Sequence, residues 1–158
     1  MKNLLILAAI GAAVYYFYNN TDTITSIITP EREMVYAQAR ITYNLPGREI
    51  EMIGVGHRYK EGACDANLVQ DFVDQCVEEN YCSHVTFECK ESLDKRYASM
   101  LQQQPARTHY IHLNGNRDAR KGALIFWGLT DQEAKKVCTS ITANINRKND
   151  WDMTAQCI

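Results

Sequence analysis

The amino-acid sequence predicts an α+β domain that follows an N-terminal apolar helix. Several short segments alternate apolar and polar residues, which is typical of half-buried strands, and three others place apolar residues at helical spacing. These segments follow one another in the order ββαβαββα. Because two pairs of strands are adjacent along the chain, we expect two hairpins within one sheet that is covered by helices.

The N-terminal segment indicates a membrane anchor. Residues 4–18 carry no charge, and a helix of that length rises about 22 Å, short of the roughly 30 Å hydrocarbon core. The aromatic residues that close this run suit a membrane–water interface. Its small residues lie inside the apolar run rather than after it, unlike a signal-peptide cleavage site. We expect residues 1–29 to be an uncleaved anchor helix. A cleaved signal peptide and a buried core helix are the alternatives.

The flanking charges predict the orientation of that anchor. Lys2 precedes the apolar run, and no further lysine or arginine occurs before Arg32. Positively charged residues stay in the cytoplasm. We therefore expect a cytoplasmic N-terminus, with residues 30–158 forming a domain on the periplasmic or extracellular side.

The cysteines support export. An even number of cysteines in an exported domain predicts disulfides, and the absence of a C-x-x-C pair disfavours zinc binding. All of them lie downstream of the apolar run: Cys64, Cys76, Cys82, Cys89, Cys138 and Cys157.

Helix and strand faces suggest how these cysteines pair. Cys76 lies on the apolar stripe of a helix, and Cys89 on the inward face of the next strand, so the two faces should meet. The remaining pair flanks a helix of about 24 Å, far beyond disulfide reach, so one assignment conflicts with the others. The expected pairs are Cys76 with Cys89, Cys138 with Cys157 and, by remainder, Cys64 with Cys82.

The first half of the domain begins with a hairpin. Residues 35–43 alternate as a strand, Leu45-Pro46-Gly47-Arg48 fits a turn, and residues 49–57 return as a second strand. Residues 65–80 carry the clearest helical stripe. A strand with Val85, Phe87 and Cys89 on its inward face follows. Residues 92–104 then read as a second helix that Pro105 ends.

The second half repeats the hairpin pattern. Residues 108–113 form a strand, and a polar loop leads to the apolar run of residues 123–127, which suits a strand buried on both faces. Thr130 and Glu133 form a capping box that starts the third helix. We expect residues 146–158 to be a polar tail tethered by Cys157.

The sequence contains no catalytic signature. It has no G-x-S-x-G elbow and no glycine-rich phosphate loop. His109 and His112 resemble a metal motif, but residues three apart on a strand face opposite sides. We therefore expect neither a metal site nor a cofactor, and a protein that is not an enzyme. A formal net charge of −2 gives no support for nucleic-acid binding.

The distribution of charge is uneven. Residues 61–94 contain nine acidic residues and one lysine, a net of −8, whereas residues 95–148 contain ten basic and three acidic residues, a net of +7. These halves either neutralise each other or make a polar molecule suited to head-to-tail contacts or to a charged partner. The candidate contact residues are Arg117, Arg120, Lys121, Glu78 and Glu79.

Small residues in the anchor suggest a contact within the membrane. Ala8 and Ala12 are spaced four apart, and such pairs let membrane helices approach closely. The alternative is that small residues are simply common in membrane helices, in which case their spacing indicates no contact.

Two segments of the sequence together carry a resemblance to a known family. One is the apolar helix running into Asn19-Asn20-Thr21, and the other is Gly128-Leu129-Thr130 followed by Cys138 and a C-terminal Cys157. In these segments the chain resembles the family of type IVb pilins. The chain departs from it in having no basic leader that ends in glycine and in having Leu5 at the fifth position in place of glutamate. Residues 31–110 carry no part of the resemblance. The resemblance itself implies a filament subunit.

These observations together predict a membrane-anchored structural or assembly subunit of a cell-envelope complex. Its expected partners are membrane lipid, through the anchor, and other envelope proteins or copies of itself. A pilin-like filament subunit is one alternative. An extracytoplasmic enzyme whose site is invisible in the sequence is the other.

Overall fold

The fold is seen in a computed structural model, which describes residues 34–59, 67–78, 82–115, 121–147 and 153–158. The predicted anchor, residues 1–29, lies outside these ranges. Among the described residues, no helix has the length and apolarity needed to span a bilayer. The individual candidate residues that also fall outside are Ala8, Ala12, Cys64, Glu79, Arg117 and Arg120.

The described residues form one sheet of six antiparallel strands in the order β3-β1-β2-β5-β4-β6. Each neighbouring pair is hydrogen-bonded along its length. The strands are β1 Met34–Leu45, β2 Arg48–Tyr59, β3 Cys82–Lys90, β4 Tyr110–Gly115, β5 Lys121–Trp127 and β6 Met153–Cys157.

Three helices within the described ranges complete an α+β fold, which confirms the predicted class: α1 Asn67–Glu78, α2 Lys95–Leu101 and α3 Asp131–Arg147. Helix α1 contacts β3, and α3 contacts β6 and β4. Helix α2 contacts β5 and β4. Helix α2 is shorter than predicted, and it begins after Asp94, whose side chain accepts a hydrogen bond from the Arg96 amide at 2.8 Å.

The sheet separates two apolar clusters. Alternate residues on a strand point to opposite faces, so Met52 and Ile53 enter different clusters. The larger cluster includes Phe126 of β5 and Ile141 of α3. The smaller one packs Tyr97 and Met100 of α2 against β2, β4 and β5. The continuous apolar run of β5 is therefore buried on both faces, as its composition predicts.

Two local motifs form where the sequence places them. Gly47 has a φ of +82° and closes the β1–β2 hairpin after Pro46. At the start of α3, the Thr130 amide donates to Glu133 at 2.9 Å and the Glu133 amide donates to the Thr130 hydroxyl at 3.4 Å. Hydrogen bonds from Arg48 and then from Thr130 hold the pKa of Glu133 at about 2.

The C-terminal residues are not a polar tail, which corrects the sequence prediction. Residues 153–157 form β6 and pair with β4, with Met153 and Ala155 buried. The side-chain amide of Asn146 donates to the Ala155 carbonyl at 2.9 Å and accepts from its N–H at 2.8 Å. Asn146 thus satisfies the outward N–H and C=O of Ala155 as a further strand would.

The disulfides differ in part from the predicted pairs. Cys138 of α3 and Cys157 of β6 are bonded as predicted, and they tie the last strand to the last helix. Cys76 pairs with Cys82, not with Cys89, and this also excludes the predicted Cys64–Cys82 pair. Cys89 is itself disulfide-bonded.

The geometry of the α1–β3 connection explains the correction. Helix α1 contacts β3, and the Cα atoms of Cys76 and Cys82 are 5.5 Å apart, so the end of the helix lies beside the start of the strand, where Cys82 is 2% exposed. Cys89 lies seven residues further on, about 23 Å along the strand, and it is exposed rather than inward-facing.

Replacing Tyr43 with phenylalanine should leave the fold as stable or make it more stable. Tyr43 is 1% exposed, its hydroxyl has no hydrogen-bond partner in the part of the chain that the structure describes, and burial raises its pKa. An unpaired buried polar group costs about 1–3 kcal/mol. Urea unfolding of Y43F should give an equal or higher free energy of unfolding, with the partnered Tyr110→Phe as a destabilised control. A marked loss of stability in Y43F would show that the hydroxyl is bonded.

The Cys138–Cys157 and Cys76–Cys82 disulfides should contribute unequally to stability. Cys138–Cys157 closes a loop with a sequence separation of 19, and Cys76–Cys82 one of 6. Loop-closure entropy then favours the folded state by about 3 and about 2 kcal/mol, respectively. Paired substitutions to alanine, compared by urea unfolding, should therefore cost more at Cys138 and Cys157. The reverse order would contradict the loop-closure account.

Candidate functional site

The structure distributes the sequence-predicted contact residues over distant elements. Glu78 is exposed at the end of α1, and Lys121 is exposed at the start of β5. The other charged candidates, Glu79, Arg117 and Arg120, lie outside the described ranges. The described candidates therefore do not form one cluster, and each must be considered in its own surroundings.

The histidines do not converge on a metal site. His109 precedes β4 and lies 3.1 Å from the Asp131 carboxylate, whereas His112 is 3% exposed on the face that α2 covers. Across the described ranges, no group of three or more histidine, cysteine, aspartate or glutamate residues could hold a metal ion.

A cleft of about 420 Å³ opens on the α2 side of the sheet. It lies next to the C-terminal end of α2, where the helix stops and leaves part of the sheet uncovered. Its described lining contains no acidic residue. The lining residues are Tyr36, His57, Ala98, Leu101, Gln102, Gln103, His112, Asn114 and Lys121.

One cross-strand row forms the floor of this cleft. Tyr36 of β1 pairs with His57 of β2, and Asn114 of β4 pairs with Lys121 of β5. Gly56 and Gly122 pair between β2 and β5, so His57 and Lys121 are the next positions across that seam. Neighbouring strands are about 4.8 Å apart, and the row from β1 to β4 therefore spans about 14 Å.

The row changes character along its length. The rings of Tyr36 and His57 are stacked, with centroids 5.0 Å apart and an angle of 22° between their planes. Lys121 and Asn114 follow with an ammonium group and an amide. The floor is thus aromatic on β1 and β2 and hydrogen-bonding on β5 and β4.

His112 forms the buried wall beside this floor, and its hydrogen bonds define its tautomer. Its Nε2 lies 3.2 Å from the Leu101 carbonyl oxygen, and its Nδ1 lies 3.0 Å from Nε2 of Gln103. A carbonyl can only accept, so the His112 Nε2 carries the proton, and Nδ1 accepts from the Gln103 amide. Both ring nitrogens are satisfied when the imidazole is neutral.

The end of α2 is built to present these partners. The Gln103 amide donates to the Met100 carbonyl at 3.1 Å and the Gln104 amide to the Ser99 carbonyl at 3.0 Å, the two bonds of a Schellman motif. Gln103 occupies the left-handed position with a φ of +59°, where glycine is usual. This backbone conformation costs of order 1 kcal/mol in a residue with a side chain, and it points to a specific use for the glutamine amide.

The surroundings of His112 favour the neutral ring. Burial lowers its pKa, the positive charge of Lys121 lowers it further, and the bond to the Leu101 carbonyl opposes both. Protonation would also place an Nδ1 proton against the donor amide of Gln103. The cleft thus contains a neutral, fully hydrogen-bonded imidazole rather than an acid or base aimed at a substrate.

The sheet order places the acidic and basic segments at opposite ends. Helix α1 and strand β3 belong to the acidic segment, and β3 is one end of the sheet. Helix α3 belongs to the basic segment and packs beside β6, the other end. Exposed charged side chains mark both ends: Asp74 and Glu78 on α1, and Lys135, Lys136 and Arg147 on α3, whose first turn also exposes Asp131.

Sequence reasoning missed most of the cleft residues. The Pro46-Gly47 turn pairs Leu45 with Arg48, and the same register puts Tyr36 opposite His57, so this part of the floor was predictable. The contribution of Asn114 and Gln103 depends on tertiary contacts. No local pattern indicates that β2 and β5 are neighbours.

Comparisons with known proteins leave the site to be interpreted from its geometry. No family model, no curated protein and no solved structure matches the chain.

The state of His112 predicts a pH dependence of folding. Its pKa is about 6.5 in the unfolded chain and lower in the fold, so the unfolded chain binds the proton first as the pH falls. The free energy of unfolding should therefore decline below about pH 6.5, by at most about 1.4 kcal/mol per pH unit for this one proton.

Urea unfolding between about pH 7.5 and pH 5 measures this dependence. His112→Gln should reduce the slope because it removes the titrating group while keeping an N–H donor for the Leu101 carbonyl. His84→Gln, at an exposed position on β3, is the matched control and should retain it. An H112Q slope equal to that of the unaltered protein would contradict the assignment.

Proposed function

We propose that the chain is a structural or assembly subunit of a cell-envelope complex and acts by protein–protein contact. In this proposal residues 1–29 anchor it in the membrane, with the N-terminus in the cytoplasm and the domain on the periplasmic or extracellular side. The bonded state of Cys76–Cys82 and Cys138–Cys157 supports an oxidising location, because disulfides persist outside the cytoplasm.

The observation that carries the proposal is the separation of charge across the sheet. An acidic segment at the β3 end and a basic segment at the β6 end could have neutralised each other within the fold. The strand order instead places α1 and β3 of the acidic segment far from α3 of the basic segment, which packs beside β6, and four strands lie between β3 and β6. A domain with unlike ends favours head-to-tail contact with a second copy, or docking on a partner that carries one sign of charge.

Contacts of this kind would act mainly on the rate of encounter. Exposed charges steer association, and salt screens them beyond about 10 Å at 0.1 M ionic strength. A wash at raised salt should therefore release partners from the domain while the proposed anchor stays in the bilayer. Arg117, Arg120 and Lys121 remain candidates for the basic side of the contact, and Ala8 and Ala12 for a contact between anchors.

Reversing the charges at either end should weaken association. One variant of the full chain combines Lys135→Glu with Lys136→Glu, and a second combines Asp74→Lys with Glu78→Lys; all four side chains are exposed. Chemical crosslinking in intact cells, followed by identification of the recovered partners, measures the effect. Because exposed charges contribute little to folding, both variants should keep the unfolding midpoint of the original protein.

Co-expression of the two variants distinguishes the partners. A self-associating protein should regain crosslinked dimers, because each variant then offers the charge that the other lacks, whereas a different partner protein would not be regained. Lys95→Glu with Arg107→Glu changes the net charge equally at exposed positions on and after α2, and it should leave crosslinking intact. If neither end variant lowers the yield of crosslinked partners, the charged ends are not the contact.

A further inference from the structure

We propose that the cleft beside α2 binds a small organic anion that carries a flat apolar ring. The ring would lie against Tyr36 and His57, and the anionic group would point toward Lys121 and Asn114. This inference goes beyond the proposed function, since it concerns a single chain and does not depend on association.

The size and shape of the cleft suit a small molecule. Its volume of about 420 Å³ lies within the range of roughly 300–1,000 Å³ that is typical of ligand pockets. Such pockets combine apolar walls with a few polar groups that orient the ligand. Here Ala98 and Leu101 supply apolar surface from α2, and the polar groups come from the floor and from the residues after the helix.

The cross-strand row orients the ligand. Tyr36 and His57 stack on each other, so each ring covers one face of the other and the pair leaves ring edges and outer faces for a ligand at one end of the floor. A flat ring gains an offset or edge contact with such a surface, worth about 0.5–1.5 kcal/mol beyond the area that it buries. The next positions in the row, Lys121 and Asn114, then lie within the length of a small ring compound.

Charge selects the class of ligand. The ammonium group of Lys121 lines the cleft, and its charge acts on His112, where it helps to lower the pKa. The described lining contains no carboxylate that would favour a cation. Amide donors from Asn114, Gln102 and Gln103 can hydrogen-bond to carboxylate or phosphate oxygens, whereas these described lining groups offer a cation no anionic ligand.

Rigid surroundings favour binding without rearrangement. His112 is held from both ring nitrogens, and Gln103 is held by the Schellman bonds of α2. A cleft whose wall is fixed before the ligand arrives loses less conformational entropy on binding. The left-handed backbone of Gln103 contributes to this rigidity, because it places the side-chain amide within hydrogen-bonding distance of the His112 imidazole and at the edge of the cleft.

Nuclear magnetic resonance of the full chain with labelled histidine rings tests the proposal. Benzoate and phenyl phosphate are the probes, benzamide is the neutral match to benzoate, and acetate is the anion without a ring. Each is titrated to about 10 mM, at which a complex of millimolar Kd is detected. The signals of His57 and His112 should shift saturably with at least one ring-bearing anion. Those of His84 and His109, which do not line the described cleft, should stay in place.

Two variants then test the contact to the anionic group and the contact to the ring separately. Lys121→Gln should weaken binding of the anionic probe about tenfold, and Tyr36→Leu should weaken it by a similar factor through loss of the aromatic surface. Lys135→Gln removes one positive charge from α3 and should leave binding unchanged. Unaltered His84 and His109 signals verify that each variant is folded.

Three results would overturn the proposal. The first is the absence of a saturable shift at His57 and His112 with either ring-bearing anion. The second is benzamide or acetate binding as tightly as benzoate or phenyl phosphate. The third is a Lys121→Gln variant that is folded and binds the anion as tightly as the original protein. None of these results bears on the crosslinking of the charged ends, so the two proposals can fail separately.

Discussion

The pairing of β2 with β5 is the constraint on which the rest of the structure depends. It runs from Glu51 opposite Trp127 to Gly56 opposite Gly122, and it joins two groups of three strands into one sheet. One group is β3-β1-β2, and the other is β5-β4-β6. Without this seam, each group would expose the apolar edge of a half-formed core, because both clusters take residues from both groups.

The same seam determines where function can lie. The cleft takes its aromatic residues from the first group and its amide and ammonium groups from the second, so it exists only when β2 and β5 are paired. The charge separation has the same origin. Helix α1 and strand β3 of the acidic segment belong to the outer part of the first group, and α3 of the basic segment packs beside β6, the outer strand of the second. Joining the groups at β2 and β5 therefore leaves α1 and α3 at opposite ends of the sheet.

Local signals in the sequence predict the parts of this fold that form locally. The β1–β2 hairpin follows from alternation and from the Pro46-Gly47 turn, and the start of α3 follows from the Thr130–Glu133 capping box. Strand β6 was missed because it is short and its apolar residues are few. It is stabilised by pairing with β4, by Asn146 and by the Cys138–Cys157 bond, and these contacts are distant in sequence. The Cys76–Cys89 prediction failed for a related reason. It considered which faces meet and not how far along β3 each cysteine lies.

The cleft shows why a site of this kind escapes sequence analysis. At Gln103, glycine would relieve the left-handed backbone, yet it would remove the amide that donates to His112. The neutral ring would then keep its bond to the Leu101 carbonyl but have a buried acceptor without a partner, at a cost comparable to the strain that was relieved. The glutamine is therefore explained by the hydrogen bond that it donates to the histidine, and the histidine by the carbonyl and amide that the helix end presents to it. Neither residue is unusual in sequence, because the requirement that links them arises only when α2 packs on β4.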